Sequence, residues 1–166
     1  MNREAKHVLQ LVVKPVLTLI GKGGQAANLL ITYTGESETH YDALRQVLPS
    51  GNYGPAYGWW GMQENAYNQG IKWLNRSENA ILKKSILASC FLDMIPPFET
   101  LIWNIRFAAC MARVQYLQEA EPMPLANDLE GMGRYYVKYY NRGGAANLAK
   151  FLTDNKDLVN LNDAVE

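Results

Sequence analysis

Long apolar runs are missing from this sequence, and with them any segment able to span a bilayer. The longest near the N-terminus, Val8 to Ile20, is interrupted by Lys14 and Pro15 and falls short of the roughly 20 apolar residues that a hydrocarbon core of about 30 Å requires. Basic residues precede it as they do in a signal peptide. Lys14 breaks the stretch, however, and no small-residue cleavage pattern follows, so it reads as the first helix of the fold. A surplus of either charge is also missing. Sixteen Lys and Arg balance sixteen Asp and Glu, which argues against a dedicated nucleic-acid binder, whose phosphate contacts need an excess of basic side chains. Cysteine is scarce. Cys90 and Cys110 lie in apolar surroundings, without the neighbours of a zinc site or the number needed for a disulfide framework. They read as buried free thiols, compatible with a reducing cytoplasm. Of the two histidines, His7 is isolated and His40 follows Glu36 by four positions with no third ligand in view. No metal and no cofactor is expected. The glycines at 51–61 fit no phosphate-cradle spacing, and internal repeats and low-complexity stretches are absent.

What is present suits one globular domain covering 1–166. A chain of 166 residues with an apolar fraction of 48% is large enough to bury a core without staples. Val8, Leu11, Val12, Val16 and Leu19 recur at helical spacing, with a kink expected at Pro15. Gly21-Lys22-Gly23-Gly24 ends that helix. A second runs from Gln25 to about Glu36, with Ala26, Leu29, Leu30 and Tyr33 on its buried face. Between Pro49 and Gly61, four glycines and two prolines predict turns with a short hairpin, studded by Tyr53, Tyr57, Trp59 and Trp60. Helices are expected over Asn65–Leu74 and Asn79–Met94, then from a Thr100 cap to about Glu119, over Leu129–Tyr140, and over Ala145–Phe151. The fold class is mainly α, with a small Gly- and aromatic-rich turn or β-hairpin region.

Glu36 is the residue that stands out for chemistry. It follows Leu29 and Tyr33 by seven and three positions and so shares a helix face with buried side chains. A carboxyl group held against apolar surface is harder to ionise, as a general acid near neutral pH requires. The same spacing also describes a helix-end glutamate reaching water, and perturbed carboxylates are rare. Glu38, Asp42, Glu64, Asp128 and Glu130 are the candidates for a second carboxylate, which most glycosidases need at a defined separation. Attack by a hydroxyl of the substrate itself needs only one. Ser37 and Cys90 have no evident base partner, so a nucleophilic triad has no support.

Three stretches in order carry a resemblance. Leu29-Leu30-Ile31-Thr32-Tyr33-Thr34-Gly35-Glu36-Ser37 resembles the helix end bearing the Glu-Ser signature of lysozyme-like lytic transglycosylases. Gly54 to Gln63 is similar to their second motif, in which a Gly-rich β-turn leads to a Met-Gln pair. Tyr139-Tyr140-Asn141-Arg142-Gly143-Gly144 is similar to the third, a Tyr-Asn pair followed by glycines. Phage-encoded members share Arg45-Gln46 after the first motif and the Met111 to Tyr116 helix, so the likeness spans about Val13 to Leu152. The resemblance implies a lysozyme-like α domain that cleaves the β-1,4 bond between N-acetylmuramic acid and N-acetylglucosamine in bacterial peptidoglycan. In that scheme Glu36 is the acid/base. Ser37, Gln46, Gln63, Tyr140 and Asn141 position substrate or acid, and the rings of Tyr57, Trp59 and Trp60 line a saccharide groove. The implied location is a phage virion or an infected host cell, with the host wall as target and other virion proteins as neighbours. The second motif departs from the phage pattern. In one register Gly61 replaces a glutamine and Gln63 a glutamate; in the other the glutamine is kept and a gap is needed. This departure leaves open a non-catalytic virion or glycan-binding protein of the same fold. Glycine at position 35 is expected to loosen the helix beside the acid.

Overall fold

A computed structural model describes residues 3–142 and 147–158. Helix α1 (Arg3–Val8) passes through a five-residue π-helical turn (Leu9–Val13) into α2 (Lys14–Leu19). Pro15 sits in the first turn of α2, where a missing N–H costs least, and the irregularity lies just ahead of it. The wider π turn shifts the phase of the buried face. Leu11 and Leu19, expected on the stripe, are exposed, while Leu9, Val13, Leu17 and Ile20 join Val8 and Val16 in the core. Gly21, at φ 66°, then closes the helix: Lys22 N donates to Leu17 O at 2.9 Å and Gly21 N to Thr18 O at 3.0 Å.

Helix α3 (Gln25–Thr39) is the centre of the molecule. No charge occurs between Gln25 and Gly35, and residues 27–37 are buried on every side, instead of along the single face that periodicity suggests. Two of its buried threonines bond back within the helix: Thr32 donates to Asn28 O and Thr34 lies within hydrogen-bond reach of Leu30 O. The chain then forms an antiparallel hairpin of β1 (Arg45–Val47) and β2 (Tyr53–Tyr57). Arg45 pairs with Tyr57 and Val47 with Tyr53, so three residues of β2 face Gln46 alone. Gly54 allows this, because a Cβ there would collide with the Gln46 side chain.

Helix α4 (Glu64–Leu74) and a 3-10 turn (Ser77–Asn79) lead to α5 (Ala80–Ser89). The helix expected to reach Met94 stops at Ser89. Phe91 takes a left-handed φ of 58°, and Leu92 N and Phe91 N fold back onto Leu87 O and Ala88 O, the pattern glycine usually supplies. The long helix expected from Thr100 is divided into α6 (Thr100–Trp103) and α7 (Ile105–Leu117). Its true cap is Asn104, whose side chain accepts from Phe107 N at 3.0 Å. Asp128 caps α8 (Leu129–Tyr139), and Asn147 caps α9 (Leu148–Asn155). Gly143, Gly144 and the expected helix start at Ala145 lie outside the described residues.

The described chain is mainly helical with one two-stranded sheet. An aromatic seam ties α3, α7, α8 and α9 together. Tyr116 stacks on Tyr135 and Tyr140, Tyr136 lies on Tyr140 and Phe151, and Tyr33 meets Phe151 edge-on. Such pairs contribute about 0.5–1.5 kcal/mol each beyond their buried area. Cys90 and Cys110 are buried free thiols with sulfurs 3.8 Å apart. Among the described residues no helix is long and apolar enough to cross a membrane.

Candidate active site

A cleft of about 740 Å³ opens where the end of α3, the hairpin, the start of α4, α7, the end of α8 and α9 meet. Glu38 is the one carboxylate among the described residues that line it. Geometry separates it from Glu36. Each helical residue turns by about 100°, so two positions on lies nearly the opposite side of the helix. Glu36 is 5% exposed, takes no part in the cleft wall, and has Oε1 3.3 Å from His40 Nδ1. Glu38, in the last turn of the helix, is partly buried and faces the cleft.

The Glu38 carboxylate is held from one side. Tyr136 donates its hydroxyl to Oε1 at 2.7 Å, and Asn141 Nδ2 donates to the same oxygen at 3.0 Å. The two donors are themselves 3.3 Å apart. Oε2 points toward Gly61, where a Cβ would lie 2.7 Å from it. Gly61 also has φ 56°, a conformation glycine tolerates best. Glycine at this position therefore leaves room for the Glu38 carboxylate. Burial pushes the Glu38 carboxyl above its ordinary value, while the bonds from Tyr136 and Asn141 and the charge of Lys150 oppose that rise.

The remaining wall is polar and largely uncharged. Gln46 comes from β1, Gln63, Asn65 and Gln69 from the start of α4, and Gln115 from α7. The cations there, Arg142 and Lys150, are engaged by Glu119 and Asp154. Tyr140 closes the floor, its hydroxyl donating to Trp60 O at 2.8 Å.

Of the residues singled out in the sequence, Ser37, Gln46, Gln63, Tyr140 and Asn141 come together in the cleft wall. Glu36, Tyr57, Trp59 and Trp60 stand outside it. Trp60 is 1% exposed and donates its indole N–H to Ile31 O at 2.8 Å, which makes it core. Trp59 packs edge-on against Tyr41 at 5.5 Å. Tyr57 stacks on Phe98 at 4.5 Å with the Arg45 guanidinium over its other face. Asp42, Glu64, Asp128 and Glu130 also lie away from the cleft lining. Sequence reasoning did not pick out Tyr136, Gln115 or Lys150. Tyr136 had a readable signal: it lies four residues before Tyr140, on the same side of α8. Gln115 and Lys150 had none, since each depends on packing between helices distant in sequence.

Among the described residues no group of three or more His, Cys, Asp or Glu is placed to hold a metal ion. No known family, no curated protein and no solved structure matches this chain.

Proposed function

We propose that this protein is a lysozyme-like peptidoglycan-cleaving glycosidase of the lytic transglycosylase type, in which the single acid/base is Glu38. The observation that carries the reading is one buried-edge carboxylate, harder to ionise than usual, in a cleft whose polar wall is mostly amides and hydroxyls, with the two cations Arg142 and Lys150 paired to acids. Neutral hydrogen-bonding walls suit a polyhydroxylated, N-acetylated chain. One carboxylate suits a reaction whose nucleophile belongs to the substrate, because hydrolysis by the usual glycosidase routes takes two.

In the proposed reaction Glu38 starts protonated and donates its proton to the oxygen of the β-1,4 bond between N-acetylmuramic acid and N-acetylglucosamine. The C1–O bond breaks and the leaving sugar departs with that proton. Glu38, now a carboxylate, takes the proton of the muramoyl 6-hydroxyl as its oxygen attacks C1, giving a 1,6-anhydro end and returning the acid to its starting state. Tyr136 and Asn141 stabilise the carboxylate on Oε1 and leave Oε2 to exchange the proton. The order of the three sequence motifs supports the same class, although its Glu-Ser glutamate is Glu36 and the cleft acid follows two residues later. The setting that fits is a phage particle or infected cell, with the host wall as substrate.

The test is mass spectrometry of soluble products from purified peptidoglycan treated with wild type, Glu38→Gln and Glu36→Gln. Anhydro-muropeptides are expected from wild type and Glu36→Gln, with a loss of at least about 100-fold in Glu38→Gln. Reducing ends in place of anhydro ends would make the enzyme a lysozyme. Activity lost in Glu36→Gln but kept in Glu38→Gln would return the acid to Glu36. No products from folded wild type on several wall types would leave a non-catalytic virion or glycan-binding protein, the reading the altered second motif favours.

A further inference from the structure

We propose that Lys150 is a positioning residue for the cleft acid: from α9 it holds the last turn of α3 and supplies the positive charge that Glu38 is set against. The inference rests on the reading of Glu38 as the acid of the cleft.

The last four carbonyls of a helix have no partner within it, and they give that end a partial negative charge. Glu38 sits there, in the final turn of α3, where a carboxylate is unfavourable. Ser37 O is one of those carbonyls. The amide that would reach it in a longer helix, Tyr41 N, instead donates to Thr39 Oγ1. Lys150 Nζ takes its place, donating to Ser37 O at 3.0 Å. One turn further along α9, Asn155 Nδ2 donates to Ser37 Oγ at 2.8 Å. Helix α9 therefore grips the residue before the acid at two points. Its own start is fixed by Asn147, whose side chain accepts from Lys150 N at 2.8 Å.

The charge arrangement around Glu38 leaves Lys150 a distinct part. Tyr136 on α8 and Tyr116 on α7 are buried phenols held neutral by burial, as is Tyr140 just beyond α8. Arg142 in the same segment is paired with Glu119. On its own helix and cap, Glu36 and His40 face one another. Lys150 lines the cleft itself, and its charge lowers the proton affinity of Glu38 against the effect of burial. Asp154, one turn along α9, holds Lys150 Nζ at 2.5 Å and moderates it.

Two substitutions on this one helix should act in opposite directions. In Lys150→Met the titration midpoint of the Glu38 carboxyl, followed by carbon NMR across a pH series, should move up. In Asp154→Asn, which releases Lys150 from its counterion, it should move down, and Lys150→Arg should stay near wild type. With peptidoglycan, the basic limb of the kcat/KM profile should follow the midpoint in each variant. A merely structural disturbance of α9 would displace both midpoints the same way or leave them where they are, and either result overturns the proposal. Midpoints that move as stated in a protein that releases no muropeptides would keep the coupling and remove the enzymatic reading. Cleavage by wild type with an unmoved midpoint in Lys150→Met would do the reverse.

Discussion

Replacing Gly35 by alanine separates a loose helix from a tightly packed one. In an exposed helix this change stabilises by roughly 1 kcal/mol, since alanine favours the helix more than glycine. Here a Cβ would lie 2.6 Å from Cε1 and the hydroxyl oxygen of Tyr41. That ring has no room to retreat. It is 6% exposed, meets Trp59 and Trp60 edge-on at 5.5 and 6.3 Å, and donates its hydroxyl to Thr32 O at 2.6 Å. Overpacking costs about 1–3 kcal/mol, and the displaced hydroxyl about 0.5–1.5 kcal/mol more. Set against the helical gain, the net is a loss of about 0.5–3.5 kcal/mol. For a domain of this size 1 kcal/mol corresponds to about 2–4 °C, so Tm should fall by about 1–14 °C in a calorimetric or circular-dichroism melt. Tyr41→Leu in the same background should recover part of it, because the ring is what the methyl strikes. A Tm that rises in Gly35→Ala would refute the packing argument and restore the view that this glycine merely loosens α3.

Gly61→Ala should cost about 1–2 kcal/mol for its left-handed backbone, and its methyl should press on Glu38 Oε2. Muropeptide release should therefore fall further than a denaturant-measured stability loss of that size explains. Glu38→Gln should be more stable than wild type at neutral pH, measured by urea unfolding. The folded carboxyl has a raised proton affinity, so wild type carries no ionisation penalty below the unfolded value and acquires one as pH rises through the folded value. The advantage of Glu38→Gln should thus vanish in acid; an equal advantage at both pH values would refute the assignment.

The helical class, the turn region with strand β2 and several cleft residues were legible in the sequence because they depend on local signals, whereas strand β1 lies ahead of the 49–61 stretch expected to hold the hairpin. Glycine marked the end of α2, and prolines and glycines marked the turn region around β2. Boundaries failed where an unexpected residue did the work. Phe91 takes a glycine's left-handed geometry, and Asn104 divides a pattern that reads as one helix. The buried face of the N-terminal rod was misjudged because a π turn changes its phase. At the cleft, periodicity put Glu36 on a face shared with buried residues but left open a side chain reaching water; it is 5% exposed, and burial alone does not say whether a side chain faces core or ligand. Nor does aromatic character: Trp60 spends its indole N–H on Ile31 O within the core. Glu38 stood out only once Tyr136 and Asn141, about a hundred positions downstream, converged on its carboxylate.

That convergence also sets a clock. Ser37 is clasped by Asn155 across 118 positions of sequence, and at a synthesis rate of roughly 5–20 residues per second the second partner follows the first by about 6–24 s. Until then α3 can be helical but its last turn has neither of its α9 anchors, and the carboxylate lacks its hydroxyl and amide donors for most of the same interval. Contacts this far apart in sequence are also slow to close once the chain is complete. The grouping around Glu38 is consequently among the last parts of the molecule to assemble, and a nascent or truncated chain is born without it.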